Sequence, residues 1–138
     1  MDLNRLFVRS HLALYRLTGG ILGGSAGSST HVLLLTTTGR KSGQPRTIPI
    51  RYLPHDSGYM IAASNWGKPQ PPAWFLNLQA NPTVTIQVMN KRMTARAEIA
   101  SAAERDALYP QFIAADHRFA NYPVTSGRAI PIVFLHPQ

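Results

Sequence analysis

Three cations fall within seven residues of one glycine-flanked turn: Arg40, Lys41 and Arg46 in the run Thr36-Thr37-Thr38-Gly39-Arg40-Lys41-Ser42-Gly43-Gln44-Pro45-Arg46. Glycine permits the backbone angles of a tight loop and lets amide N–H groups converge on one anion. Arginine adds a planar fork matched to phosphate or carboxylate. The run therefore reads as a site for an anionic group, although the same residues also suit a solvated hairpin turn with scattered surface cations. A P-loop is excluded, because GxxxxGK followed by Ser or Thr does not occur.

Three further stretches carry candidate chemistry. In Ala62-Ala63-Ser64-Asn65-Trp66-Gly67, small residues at a strand end would let a flat ring approach the backbone, with Ser64 and Asn65 supplying polar contacts; a plain strand-to-loop exit has the same composition. In Pro72–Pro82, Trp74, Phe75 and Leu78 suggest a short helix clamped onto the main fold, either as core packing or as a ligand wall. Between His117 and Arg128, Phe119 and Tyr122 sit in a stretch that reads as an aromatic-bearing loop, either a substrate lid or a hydrophobic plug. The five histidines show no metal-ligand spacing and the six carboxylates are scattered, so neither a metal centre nor a paired general acid and base is indicated.

The composition narrows the function classes. With 138 residues the chain has the size of one domain and can bury a core without staples. There is no Cys, which excludes disulfides, thiolate nucleophiles and Cys-ligated metal sites. A formal net charge of +8, with arginines outnumbering lysines, points to nucleic acid, an anionic membrane face or an anionic small molecule. The cations are not interleaved with aromatics on strands, which disfavours nucleic acid. No secretory signal or membrane span is evident, and the composition fits a cytosolic protein.

The elements that must hold these residues follow from periodicity. Residues 2–18 read as an amphipathic helix: Leu3, Leu6, Phe7, Ala13, Leu14 and Leu17 share one arc, and Arg5, Arg9 and Arg16 another face. That helix offers a peripheral membrane contact. Residues 19–30 form a Gly/Ser linker, leaving 31–138 as the main domain. Strands are expected over His31–Thr38, Gln44–Leu53 (with Pro49 implying an edge, a bulge or a strand end), Tyr59–Ala63, Thr83–Met89, Arg92–Ile99 and Arg128–Leu135. Helices are expected over Ala73–Gln79 and Ala102–Ala115, and a hairpin turn at Asn90-Lys91. Short connections imply mostly antiparallel pairing and an α+β fold without a Rossmann rhythm.

The blocks LLLTTTGRKSGQPRTIPI, ASNWG and PAWFLNLQANP, followed by RAIPIVFL, resemble in order and spacing the deazaflavin-dependent nitroreductase family of actinobacteria over roughly residues 31–135. The resemblance implies a split β-barrel, coenzyme F-420 as cofactor, and hydride transfer from its reduced form to nitro compounds, quinones or activated alkenes. By motif position, Arg40, Lys41 and Arg46 would hold the phosphate and acidic tail. Pro49 and Arg51 would border that channel. Ala62, Ala63, Ser64 and Asn65 would line the ring, with Trp74 against it. Tyr122 falls at the family's substrate-side tyrosine, as the catalytic candidate; water or His117 are other proton sources. Arg51 stands where some relatives carry tyrosine, and the loop Asn65-Trp66-Gly67 where some members have a Lys and paired glycines. The alternatives are an FMN-binding oxidoreductase, which physics alone does not separate from a deazaflavin enzyme, and a non-enzymatic lipid-binding barrel.

Overall fold

The structure, a computed structural model, describes residues 31–138; the expected helix over 2–18 and the linker over 19–30 lie outside the described residues. Six antiparallel strands close into a barrel in the order β1-β2-β3-β6-β5-β4. They are β1 (His31–Thr38), β2 (Pro45–His55), β3 (Gly58–Ala62), β4 (Thr83–Val88), β5 (Lys91–Ile99) and β6 (Ile132–Pro137). Helix α1 (Ala73–Ala80) joins β3 to β4. Helix α2 (Ala102–Ala115) and the short α3 (Tyr122–Ser126) join β5 to β6.

Alternation along each strand produces two cores. One set of positions fills the barrel: Leu33 and Leu35, Ile61 and Ala63, Val84 and Ile86, Ala95 and Ala97, Val133 and Leu135, plugged at one end by Trp74, Phe75 and Leu78 of α1. The intervening positions of β3 and β6 (Met60, Ala62, Ile132, Phe134) face outward and pack under Phe112, Phe119 and Tyr122. Helix α2 begins with a capping box: Glu104 N–H donates to Ser101 Oγ (3.2 Å), and Ser101 N–H donates to the Glu104 carboxylate (2.8 Å).

The split in the barrel lies between β2 and β3. β2 pairs with β1 from Pro45 to Tyr52, yet with β3 only through Leu53, Pro54 and His55. The half of β2 that contains Pro49 thus has β1 on one side and no strand partner on the other, an edge position that tolerates proline.

Three expectations are corrected. The β4–β5 turn is Met89-Asn90, one residue early, with Met89 in a left-handed conformation (φ 54°). The last strand starts at Ile132 and runs to Pro137, because Arg128 and the residues beside it are committed to other contacts. Residues 117–126 are not an exposed loop. Asp116 caps a 3₁₀ turn at His117–Ala120 by accepting from Arg118 N–H, and Pro123 in the first turn and Gly127 (φ 69°) at the end bound α3. Phe119 and Tyr122 are buried there, so the plug reading describes their rings.

Candidate functional site

The cationic turn sits at the mouth of the barrel. Gly39 N–H donates to Gln44 C=O and Gly43 N–H to Gly39 C=O, closing the loop on itself, and Gly43 takes a φ of 71° that a side chain would oppose. A buried amide ties this loop to α1. Asn77 Nδ2 donates to Thr37 Oγ1 (3.1 Å), and its Oδ1 accepts from Arg40 N–H (3.2 Å) and Arg40 Nη1 (3.0 Å). Arg40, Lys41, Ser42 and Arg46 then border a cleft of about 460 Å³, walled by Ile48 and Trp74. Arg46 Nη2 lies 3.4 Å from Ser42 Oγ as a long donor contact. No carboxylate is among the residues bordering the cleft, so it presents uncompensated positive charge to an anion.

A second structure shapes the loop after β3. Asn65, Trp66 and Gly67 all have positive φ (48°, 58° and 80°). Asn and Gly accept this region readily, whereas Trp there is strained. The conformation is imposed from two sides. Arg128 spreads its guanidinium over four carbonyls, with Nη2 donating to Ala63 (3.1 Å), Ser64 (3.1 Å) and Gln70 (3.3 Å), and Nε donating to Lys68 (3.3 Å). Gly67 lies so close to α3 that a Cβ would fall 2.4 Å from Thr125 Oγ1 and 3.0 Å from Tyr122 Cδ1. Trp66 is left 72% exposed, with the Arg118 Cζ 5.8 Å from its ring centroid.

The third group joins β2 to the end of α2. The Asp116 carboxylate accepts from Arg51 Nη1 and also from Arg118 Nε and Nη2. The Arg118 hydrogen bonds, reinforced by the positive charges of both arginines, hold the Asp116 carboxyl far below the usual carboxylate range. Two phenols lie near this group. Tyr109 donates to Phe119 C=O (2.7 Å), and burial, with Tyr122 nearby, pushes it up to about 12, which makes it a neutral structural donor. Burial also raises Tyr122, while Arg118 acts in the opposite direction. The Tyr122 hydroxyl has no hydrogen-bond partner among the described residues and is not sealed from solvent.

The residues singled out in the sequence divide by strand face. Arg40, Lys41, Arg46 and Trp74 meet at one cleft. Arg46 and Ile48 share one face of β2; Pro49 and Arg51 alternate to the other, and Arg51 turns to Asp116. Ala62 and Ala63 are buried in different cores. Ala63 has both backbone groups engaged, its N–H by Pro131 and its C=O by Arg128, so it can serve a ligand only as a wall. Ser64 Oγ has no partner among the described residues, and Asn65 Nδ2 is used on Gln70 C=O. Sequence reasoning missed Asn77, Asp116 and the Arg128 clamp. A polar residue inside the apolar run of α1 was the available signal for Asn77; nothing local marked the other two.

A split antiparallel barrel with a basic cleft at its mouth and helices over one outer face defines a class of small split-barrel proteins. The same fold occurs in a general stress protein 26-related protein of the pyridoxinephosphate oxidase family from Clostridium acetobutylicum (TM-score 0.54, 13% identity, 77% of this chain and 74% of that one). Within that class, the family model described as F420H(2)-dependent quinone reductase matches residues 7–137, and the chain belongs to that family. It is 38% identical over 131 residues to the F420H(2)-dependent quinone reductase Rv1261c of Mycobacterium tuberculosis, covering 93% of this chain and 88% of the relative. Among solved structures it is similar to an F420-H2 dependent reductase, FDR-A (TM-score 0.69, 32% identity, 76% of this chain and 93% of that one).

The Asp116 ion pairs carry a pH signature. A carboxylate whose folded value is depressed contributes stability above its unfolded value, and that contribution is lost as pH falls through the folded one. Asp116→Asn should lower stability by about 1.5–3 kcal/mol at neutral pH. In denaturant melts the gap to the parent should persist down to about pH 5 and close progressively below it. A gap unchanged between about pH 7 and pH 3 would mean that the ion pairs contribute nothing.

Proposed function

We propose that this protein is a coenzyme F-420-dependent oxidoreductase that passes a hydride from the reduced deazaflavin to a quinone or a similar electrophilic acceptor. The observation that carries this reading is the cleft of Arg40, Lys41 and Arg46 at the barrel mouth, in a chain of the quinone reductase family. The residues present fit such a cofactor: a phosphodiester and an acidic tail need a cationic cleft without carboxylates, and the flat ring needs an open strand edge. The bound deazaflavin supplies the hydride chemistry; the protein supplies binding, orientation and electrostatics.

In this reading Lys41 and Arg46 carry the free cationic charge that meets the acidic tail. Arg40 contributes backbone and charge from a position fixed by Asn77. Trp74 and Ile48 wall the cleft. The unpaired edge of β2 around Pro49, with Arg51 beyond it, faces the ring, and Ser64 Oγ and Asn65 offer it polar contacts over the buried Ala62 and Ala63. FMN shares the phosphate and the flat ring, and the names of the relatives favour the deazaflavin over it. The amphipathic residues 2–18 are the proposed peripheral membrane contact, supported by an apolar arc beside Arg5, Arg9 and Arg16.

The test is a tryptophan-fluorescence titration with coenzyme F-420 beside FMN. The parent should bind the deazaflavin more tightly, and binding should weaken with added salt. Arg46→Ala should cost about 1.5–3 kcal/mol of binding, the scale of a charge-assisted hydrogen bond. Unchanged affinity in Arg46→Ala, together with no salt dependence, would remove the cleft from the site.

Tyr122 is the proposed proton donor or orienting group for the acceptor, since its ring is buried and its hydroxyl is free. Tyr122→Phe removes only that hydroxyl. Single-turnover oxidation of the reduced coenzyme should slow about tenfold or more while coenzyme affinity stays within about twofold. Turnover at the parent rate with both a quinone and a nitroimidazole would make the tyrosine structural.

A further inference from the structure

One carboxylate serves two guanidinium groups where β2 meets the end of α2. Arg51 commits only Nη1 to Asp116, and Arg118 commits Nε and Nη2. Among the described residues, Nε and Nη2 of Arg51 and Nη1 of Arg118 find no acceptor. The group therefore keeps a net positive charge and several unused N–H donors in fixed positions. Asp116, with only 11% of its side chain exposed, holds both arginines in place, and Trp66 flanks the Arg118 plane. The buried Tyr122 ring ends in a free hydroxyl in the same neighbourhood.

This centre is distinct from the cleft that holds the cationic turn. Alternation along β2 places Arg46 and Ile48 on one face and Arg51 on the other. One carboxylate can hold two arginines, so the pairing itself is structural; what leaves room for a ligand is that the Arg118 side chain is 54% exposed and keeps unused donors.

We propose that Arg51 and Arg118, held by Asp116 beside Trp66, form an acceptor-side anion site that takes a quinone oxygen and stabilises the negative charge left on it by hydride transfer. This rests on the proposed oxidoreductase reading. A quinone that accepts a hydride gains two electrons and one hydrogen, and one of its oxygens stays anionic until a proton reaches it from water or Tyr122. The two electrons come from the reduced deazaflavin, which is oxidised by the same amount. Preorganised cationic donors at an oxygen where charge develops favour the charged product over the neutral substrate. Acceptors that end as an oxyanion gain from this site, and an acceptor without such an oxygen does not.

The test has a readout separate from turnover. 4-Nitrophenol stands in for the hydroquinone anion, since its phenolate absorbs and its ionisation can be read directly. With the protein saturated in oxidised coenzyme F-420, bound 4-nitrophenol should ionise at least about one pH unit lower than free 4-nitrophenol. The shift should be lost in the Arg51→Gln, Arg118→Gln double variant and largely kept in Arg118→Lys, which retains the charge. Failure of the phenol to bind, binding with no shift, or a full shift surviving in the double variant each overturns the proposal. The parent measurement needs no variant to fold. Coenzyme binding, followed in the same samples by tryptophan fluorescence, separates the two ideas: no coenzyme binding sinks the oxidoreductase reading, whereas coenzyme binding without the phenol shift sinks only the acceptor site.

Discussion

The side-chain amide of Asn77 is the interaction on which the site depends. It is buried in the middle of α1, where an unsatisfied amide would cost about 1–3 kcal/mol. Each of its two polar ends is used: one on the hydroxyl of Thr37 inside β1, the other on the backbone and guanidinium of Arg40. Helix, strand and cationic turn are thereby locked to each other at one point. Without that lock, α1 would still plug the barrel with Trp74, Phe75 and Leu78, but the turn would lose its fixed relation to the wall of the cleft. Buried polar networks that are fully satisfied specify one arrangement in this way.

The second constraint is the short β2–β3 pairing. Only three residues of β2 meet β3, which leaves an open edge around Pro49, and alternation along the strand turns one face to the mouth and the other to the outer helices. Two basic centres result on opposite faces of one strand, the cleft at Arg46 and the Asp116 group at Arg51. The loop after β3 reaches the second of them, where Arg118 lies over Trp66. Arg128 and the close approach of Gly67 to α3 keep that loop in a conformation that Trp66 would not choose alone. Strain held by surrounding contacts is a feature of preorganised sites.

The strands and their antiparallel pairing were largely legible in the sequence, because strand composition and short turns are local signals, whereas closure into a split barrel was implied by the family resemblance. His31–Thr38 and Ala102–Ala115 match their expected bounds: the first is a run of β-branched and leucine residues, and the second proves to open on a capping box. The cationic turn was legible as a cluster of charge. What could not be read was where each cation points. Arg40 and Arg51 look equivalent in sequence, yet one is held by an amide 37 residues away and the other by a carboxylate 65 residues away. Arg128 looked like the start of a strand and instead organises a loop some 60 residues earlier. The stretch 117–126 was read as a loop, because it is two short turns, one capped by the Asp116 side chain and one bounded by Pro123 and Gly127, and no apolar period marks elements so short.

The most direct test compares two ligands on two proteins: coenzyme F-420 and the same deazaflavin without its acidic tail, each titrated into the parent and into Asn77→Ala. If Asn77 holds the turn that reads the tail, the substitution weakens the full coenzyme by about tenfold or more, roughly 1.4 kcal/mol, and leaves the tail-less ligand within about twofold. Equal weakening of both ligands, or of neither, would contradict the account.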